Sequence, residues 1–172
     1  MRSIIKSFSI VLLMIGQEIC NGADLPDPNL TPGAINPDVT QENIASTICV
    51  KGFTKKIRPS ASYKNALKKQ QLREYGFVDT HPSQYEEDHL IPLSLGGAPA
   101  DPRNLWPQAR ESEYGADKKD QLELVLYINV CRGRLSLANA QQVIATDWIS
   151  AWKKYAEFSF HGKSRGWWKH MQ

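Results

Sequence analysis

Histidine and cysteine are scarce in this chain, four and three among 172 residues. A zinc centre built from imidazole and thiolate would want more of both. Without a Cys-x-x-Cys spacing, a dithiol oxidoreductase is also a poor fit. Long apolar runs are missing: the N-terminal one, Ile10 to Gly16, falls short of the ~20 residues a membrane-spanning helix needs. Nor does one sign of charge dominate, the formal net charge being +3. Hydrophobic residues at 41% and charged ones at 23% are ordinary globular values, which argues against disorder and against a membrane protein for the body of the chain. The length suits one domain with a sizeable core better than two.

What the N-terminus does contain is Arg2 and Lys6 ahead of the apolar run and the small residues Gly22 and Ala23 behind it. This is the pattern of a secretory signal peptide, residues 1–23, cleaved near Ala23. Lipid attachment at Cys20 fits poorly, because Glu18 and Ile19 stand where small residues should precede a lipidated cysteine. The expected location is exported, periplasmic or secreted, with no membrane anchor after cleavage. Cys49 and Cys131 are then the only cysteines left, and in an oxidising compartment they are expected to pair. Such a bridge would close a loop of ~80 residues and constrain the unfolded chain by about 4 kcal/mol.

Residues 24–39 carry Pro26, Pro28, Pro32 and Pro37, which sustain neither a helix nor a central strand, so an extended and mobile arm is expected. A single domain over 40–172 should follow. Thr40 with Asn43 suggests a short capped helix ending near Cys49. From Lys51 to Arg73 the chain has eight Lys or Arg and no acid. A basic helix within 51–75 is predicted, capped by Ser60 or Ser62 and closed by Gly76. Lys55, Lys56, Arg58, Lys64, Lys68 and Lys69 are the candidate nucleic-acid-binding residues, against the plainer reading of a solvated surface. The charge then reverses: Asp79, Glu86, Glu87 and Asp88 lie in a stretch without Lys or Arg.

The segment Glu86-Glu87-Asp88-His89-Leu90-Ile91-Pro92, then Gly96-Gly97, then Asn104-Leu105-Trp106-Pro107, sets an acid, an imidazole and an amide around one short turn. Neighbouring side chains of a strand point to opposite faces, so Asp88 and His89 can serve one centre only where the strand bends. Pro92 and Gly96-Gly97 supply that bend. An acid there can hold a divalent cation while a neutral imidazole takes a proton from water.

This phrase, over roughly residues 85–123, resembles the HNH, or His-Me finger, endonucleases, and looks most like small exported bacterial members of that group. The resemblance implies an α+β fold: a mainly helical domain around a small ββα-metal hairpin-helix unit at 85–132. It implies that His89 activates water, that Asp88 contributes to a metal and that Asn104 steadies the loop carrying the histidine. HNH proteins usually place a third His or Asn near the start of the helix; here only acids are available, and Glu113 or Asp117 is taken as the second ligand. Oxygen ligands suit Mg²⁺, the expected cofactor. The activity implied is metal-dependent hydrolysis of phosphodiester bonds in nucleic acid, DNA and also RNA. No base-reading helix is recognisable, so little sequence specificity is expected.

Beyond the motif, two helices are predicted, Ala116 to Cys131 and one at 137–155 starting after Ser136, with Trp148 and Trp152 in the core. The tail, residues 158–172, mixes His161, Lys163, Arg165, Trp167, Trp168, Lys169 and His170; it suits stacking on bases and docking on the body equally well. A competing reading keeps the fold and drops the chemistry: a catalytically inactive HNH-fold module that binds nucleic acid or another polyanion.

Overall fold

Pro59 divides the basic segment. A helix running unbroken through residues 51–75 would need the amide that proline lacks, whereas one capped at Ser60 does not. The computed structural model describes residues 24–77 and 81–160 and has two helices there, α1 (Phe53–Ile57) and α2 (Ala61–Glu74). Ser60 caps α2, its hydroxyl accepting from the Tyr63 amide at 3.2 Å. Residues 1–23, 78–80 and 161–172 lie outside the described residues, and with them the signal peptide, Asp79 and most of the basic aromatic tail.

After α2 come two short strands, β1 (Tyr85–His89) and β2 (Leu105–Ala109), paired antiparallel with Asp88 opposite Trp106 and His89 opposite Leu105. Three helices follow: α3 (Ala116–Cys131), α4 (Leu137–Tyr155) and the short α5 (Glu157–Phe160). The fold is therefore α+β, with helices around one two-stranded sheet. Ser136 caps α4 by accepting from the Asn139 amide. This helix is not continuous, because Asp147 adopts extended backbone (φ −158°, ψ 87°) inside it. The Asp147 carboxylate accepts from the Ser150 amide and hydroxyl, so it caps a second helical segment and outcompetes the helical path locally.

The core forms where α3 meets α4, through Leu122, Leu126, Ile144 and Trp148, with Trp106 of β2 and Leu95 of the inter-strand loop packed into it. The indoles of Trp148 and Trp152 bury their rings and donate to the Asp24 carbonyl and to Gln121 Oε1. Cys49 and Cys131 are joined, with Cα atoms 5.7 Å apart and a sequence separation of 82. A disulfide of this kind fits an oxidising compartment. Among the described residues no helix is long and apolar enough to cross a membrane.

The proline-rich arm is extended, as expected, but anchored rather than loose. The amides of Gly33 and Asn36 donate to Arg103 O and Gly96 O, and Ala98 N donates back to Ala34 O. Thr31 adds a bond from its hydroxyl to Leu105 O. Prolines remove donors at four positions but leave the intervening amides free to pair, and here they strap the arm over the loop between the strands.

Candidate active site

Fifteen residues separate β1 from β2, and Asn104 closes that loop. Its Oδ1 accepts from Ile91 N at 3.0 Å and from Ala34 N at 3.4 Å. Its Nδ2 donates to Ile91 O and Ala98 O at 2.9 and 3.0 Å. An amide is the side chain that can both donate and accept in this way, and Asn104 is fully buried while doing so. The closure demands glycine at 97, where a Cβ would sit 1.7 Å from Ile91 O. The Gly96-Gly97 pair is thus explained by a close backbone approach.

The loop so closed brings Pro99 O to 2.8 Å from His89 Nε2. A carbonyl only accepts, so Nε2 carries the proton and Nδ1 of the neutral ring is left with its lone pair. Burial pushes the imidazole down to about 4, against the opposing pull of the Asp88 carboxylate. His89 is 3% exposed and contributes to the wall of a cavity of about 800 Å³ that Asp88 also lines.

Asp88 faces α3. There Lys119 Nζ, fully buried, donates to Asp88 Oδ2 at 2.7 Å, to His89 O at 2.6 Å and to Glu123 Oε1 at 2.5 Å. Three oxygens around one ammonium satisfy its three donors. Burial works to raise the Asp88 carboxyl, but the Lys119 charge wins and holds it below the usual range. Glu123, the second acid on the same ammonium, is pushed up to about 8 by burial, with the Asp88 charge adding to the effect. Lys119 itself is held above the usual lysine range: burial acts to lower it and the two acids more than compensate.

The expected metal ligands Glu113 and Asp117 are not brought to this place. Glu113 borders a second cavity beside Tyr85 and Ala109, at the opposite end of the hairpin. Asp117 is absent from the wall of the Asp88 cavity; two residues along a helix turn about 200°, so it points away from the face on which Lys119 meets β1. Glu123 is the acid that reaches Asp88. Among the described residues no group of three or more His, Cys, Asp or Glu is placed to hold a metal. The donor chemistry of Asp88 nonetheless fits Mg²⁺, which takes one or two protein carboxylates and completes its shell with water and phosphate oxygen; Glu123 would join it on losing its proton. Lys119 engages one oxygen of each carboxylate, and each side chain keeps 18% exposure.

The lysines divide as well. Lys64 Nζ donates to Glu87 O at 2.7 Å and Lys68 Nζ to Tyr85 O at 3.1 Å. A two-stranded sheet leaves β1 with an open edge. Four residues of α2 advance about 6 Å, close to the ~6.6 Å between alternate strand carbonyls, so one helical turn of lysines matches the edge. These two serve the strand and are not a free phosphate-binding face. Lys55, Lys56, Arg58 and Lys69 are exposed, and Arg58 together with Lys51 lines the Asp88 cavity.

Lys119 and Glu123 were not anticipated from the sequence. A signal was there: Lys119, Leu122, Leu126 and Val130 share the buried stripe of α3, and a cation on an apolar stripe needs an acid within reach. Compared with protein-family models, with curated proteins and with solved structures, the chain has no match.

Proposed function

We propose that the chain is an exported phosphodiester hydrolase of the HNH, or His-Me finger, type, acting on nucleic acid with little sequence preference. The observation that carries this reading is the pairing of His89, its ring oriented by Pro99 O and kept neutral, with the neighbouring Asp88, both among the residues that line one cavity. The order strand, strand, helix around it, and the amide of Asn104 tying the loop, support the same reading.

In this account His89 Nδ1 takes a proton from a water molecule in the cavity. The water oxygen bonds to phosphorus as the P–O3′ bond breaks, and the departing 3′ oxygen takes a proton from solvent. Asp88 and Glu123 would hold Mg²⁺, which supplies charge to offset the negative charge that builds on the phosphate oxygens. Lys119 keeps the two carboxylates from repelling each other and fixes β1 to α3 through His89 O. Asn104 and Pro99 hold the ring in one orientation, and Trp106 packs beneath.

Cleavage of plasmid by the mature protein with Mg²⁺ is expected to fall at least ~10²-fold in His89→Ala and to stop in chelator. With the ring neutral above about 4, the acid limb of the free enzyme's pH–rate profile should lie near that value. Cleavage that survives both His89→Ala and chelation would defeat the mechanism. The Lys119 ion pairs favour a second reading, in which the acid pair is permanently occupied and the module binds polyanions without turnover; salt-sensitive binding in chelator with no cleavage under any condition would establish it.

A further inference from the structure

One face of α3 lines the cavity beside Asp88, and it changes character along its length. Asp120, Glu123, Leu124, Tyr127 and Ile128 stand at i, i+3, i+4, i+7 and i+8. The N-terminal half of this face is acidic and the C-terminal half is apolar and aromatic. Glu123 and Tyr127 are one turn apart, about 6 Å along the axis. Across the cavity, Lys51 and Arg58 provide cationic side chains on the segment that the Cys49–Cys131 bond ties to the end of α3.

Apolar surface on an active-site wall has no use for a duplex, whose phosphates face outward and whose bases are stacked and paired inside. It suits an unpaired base, which needs an aromatic or apolar plane to replace its lost stacking. A cavity of about 800 Å³ is also of the size that encloses a small ligand rather than a groove that tracks a rod. We infer that the cavity takes one unpaired nucleotide, its base against Tyr127 and its flanking phosphates on Arg58 and Lys51, so that the protein selects single-stranded over duplex nucleic acid. The inference rests on the nucleic-acid reading above but not on hydrolysis.

The test is fluorescence anisotropy with a short labelled oligonucleotide, alone and annealed to its complement, using the full mature chain in EDTA so that no cleavage occurs. The single strand is expected to bind at least about tenfold tighter than the duplex. Tyr127→Ala should weaken single-strand binding about 5- to 100-fold, the effect of losing one base–aromatic stack, while duplex binding stays as it was. Ser94, half-buried, also lines the cavity; Ser94→Trp adds bulk there without removing a side chain from α3 and should do the same, which keeps the inference testable where Tyr127→Ala fails to fold. Tyr127→Phe retains the plane and should retain binding. Equal or tighter duplex binding, or single-strand binding indifferent to both Tyr127→Ala and Ser94→Trp, would overturn the inference. Cleavage is scored separately: single-strand selectivity without turnover removes hydrolysis and leaves the nucleotide cavity, whereas turnover without selectivity does the reverse.

Discussion

Glu86, Glu87 and Asp88 are consecutive carboxylates on one strand, and they meet three different fates. Glu86 lies at the surface with Arg110 Nη1 2.7 Å away. Asp88 is turned to α3 and bonded to a buried ammonium. Glu87 faces the other way, under α2, where it is 3% exposed and neither carboxylate oxygen has a hydrogen-bond partner among the described residues. Burial pushes Glu87 up to about 8, with the Lys64 charge only partly opposing it. Asp88 is held low in a comparably enclosed setting. Burial alone therefore does not decide whether an acid on β1 is charged; between these two the difference is the Lys119 ammonium, which lowers Asp88 and does not touch Glu87. The strand delivers its ionised group to the α3 side, where the cavity lies, and keeps a neutral one on the other.

The largest test of this contrast is Lys119→Met. Asp88 and Glu123 would then share a buried space without their cation, and a loss of about 3–5 kcal/mol is expected in denaturant unfolding at pH 8. That loss should shrink toward pH 5 as one acid takes a proton. Adding Asp88→Asn and Glu123→Gln to Lys119→Met should recover most of it. A single variant as stable as the parent at pH 8 would mean that the ammonium is not what holds the pair.

Glu87→Gln should act with the opposite sign. The folded chain holds the Glu87 proton more tightly than the unfolded one, so between the ordinary 4.5 and about 8 the parent loses stability as pH rises. The amide removes that loss: a gain of roughly 2–3 kcal/mol is expected at pH 9 and almost none at pH 4. A gain independent of pH would show that Glu87 is not the group that titrates. His89 runs the other way. Its folded value of about 4 lies below the ordinary 6.5, so its contribution is full above 6.5 and is lost on acidification toward 4.

Arg110→Ala, which breaks only the surface pair with Glu86, should change stability by about 0.5 kcal/mol or less, and less still in high salt. A larger effect would mean that the exposed end of β1 depends on that ion pair for its register.

The helix starts at Ser60 and Ser136, the stop at Cys131 and the pairing of the two cysteines were legible because each depends on local chemistry or on simple counting. The role of Asn104 in holding the loop was legible only through the resemblance to the HNH endonucleases, which places an amide at that position. The partners of Asp88 were not. Whether position 117, 119 or 123 of a helix meets a strand depends on how the two elements are rotated against each other, and adjacent charges in sequence carry no record of that. The lysines of α2 misled for the same reason: a run without acids looks like a face for phosphate, yet two of its members neutralise the open edge of a strand that only the tertiary fold places beside them. Asp147 shows a smaller failure, where apolar spacing carried the helix through a residue whose side chain prefers to start one.

The bond between Cys49 and Cys131 fastens the segment bearing Lys51 and Arg58 to the far end of α3. Joining two thiols removes two electrons, so the bond requires an oxidant. The distance between the two sides of the cavity thus depends on the redox state of its surroundings. A mild thiol reductant, which touches neither the imidazole nor the carboxylates, should alter it.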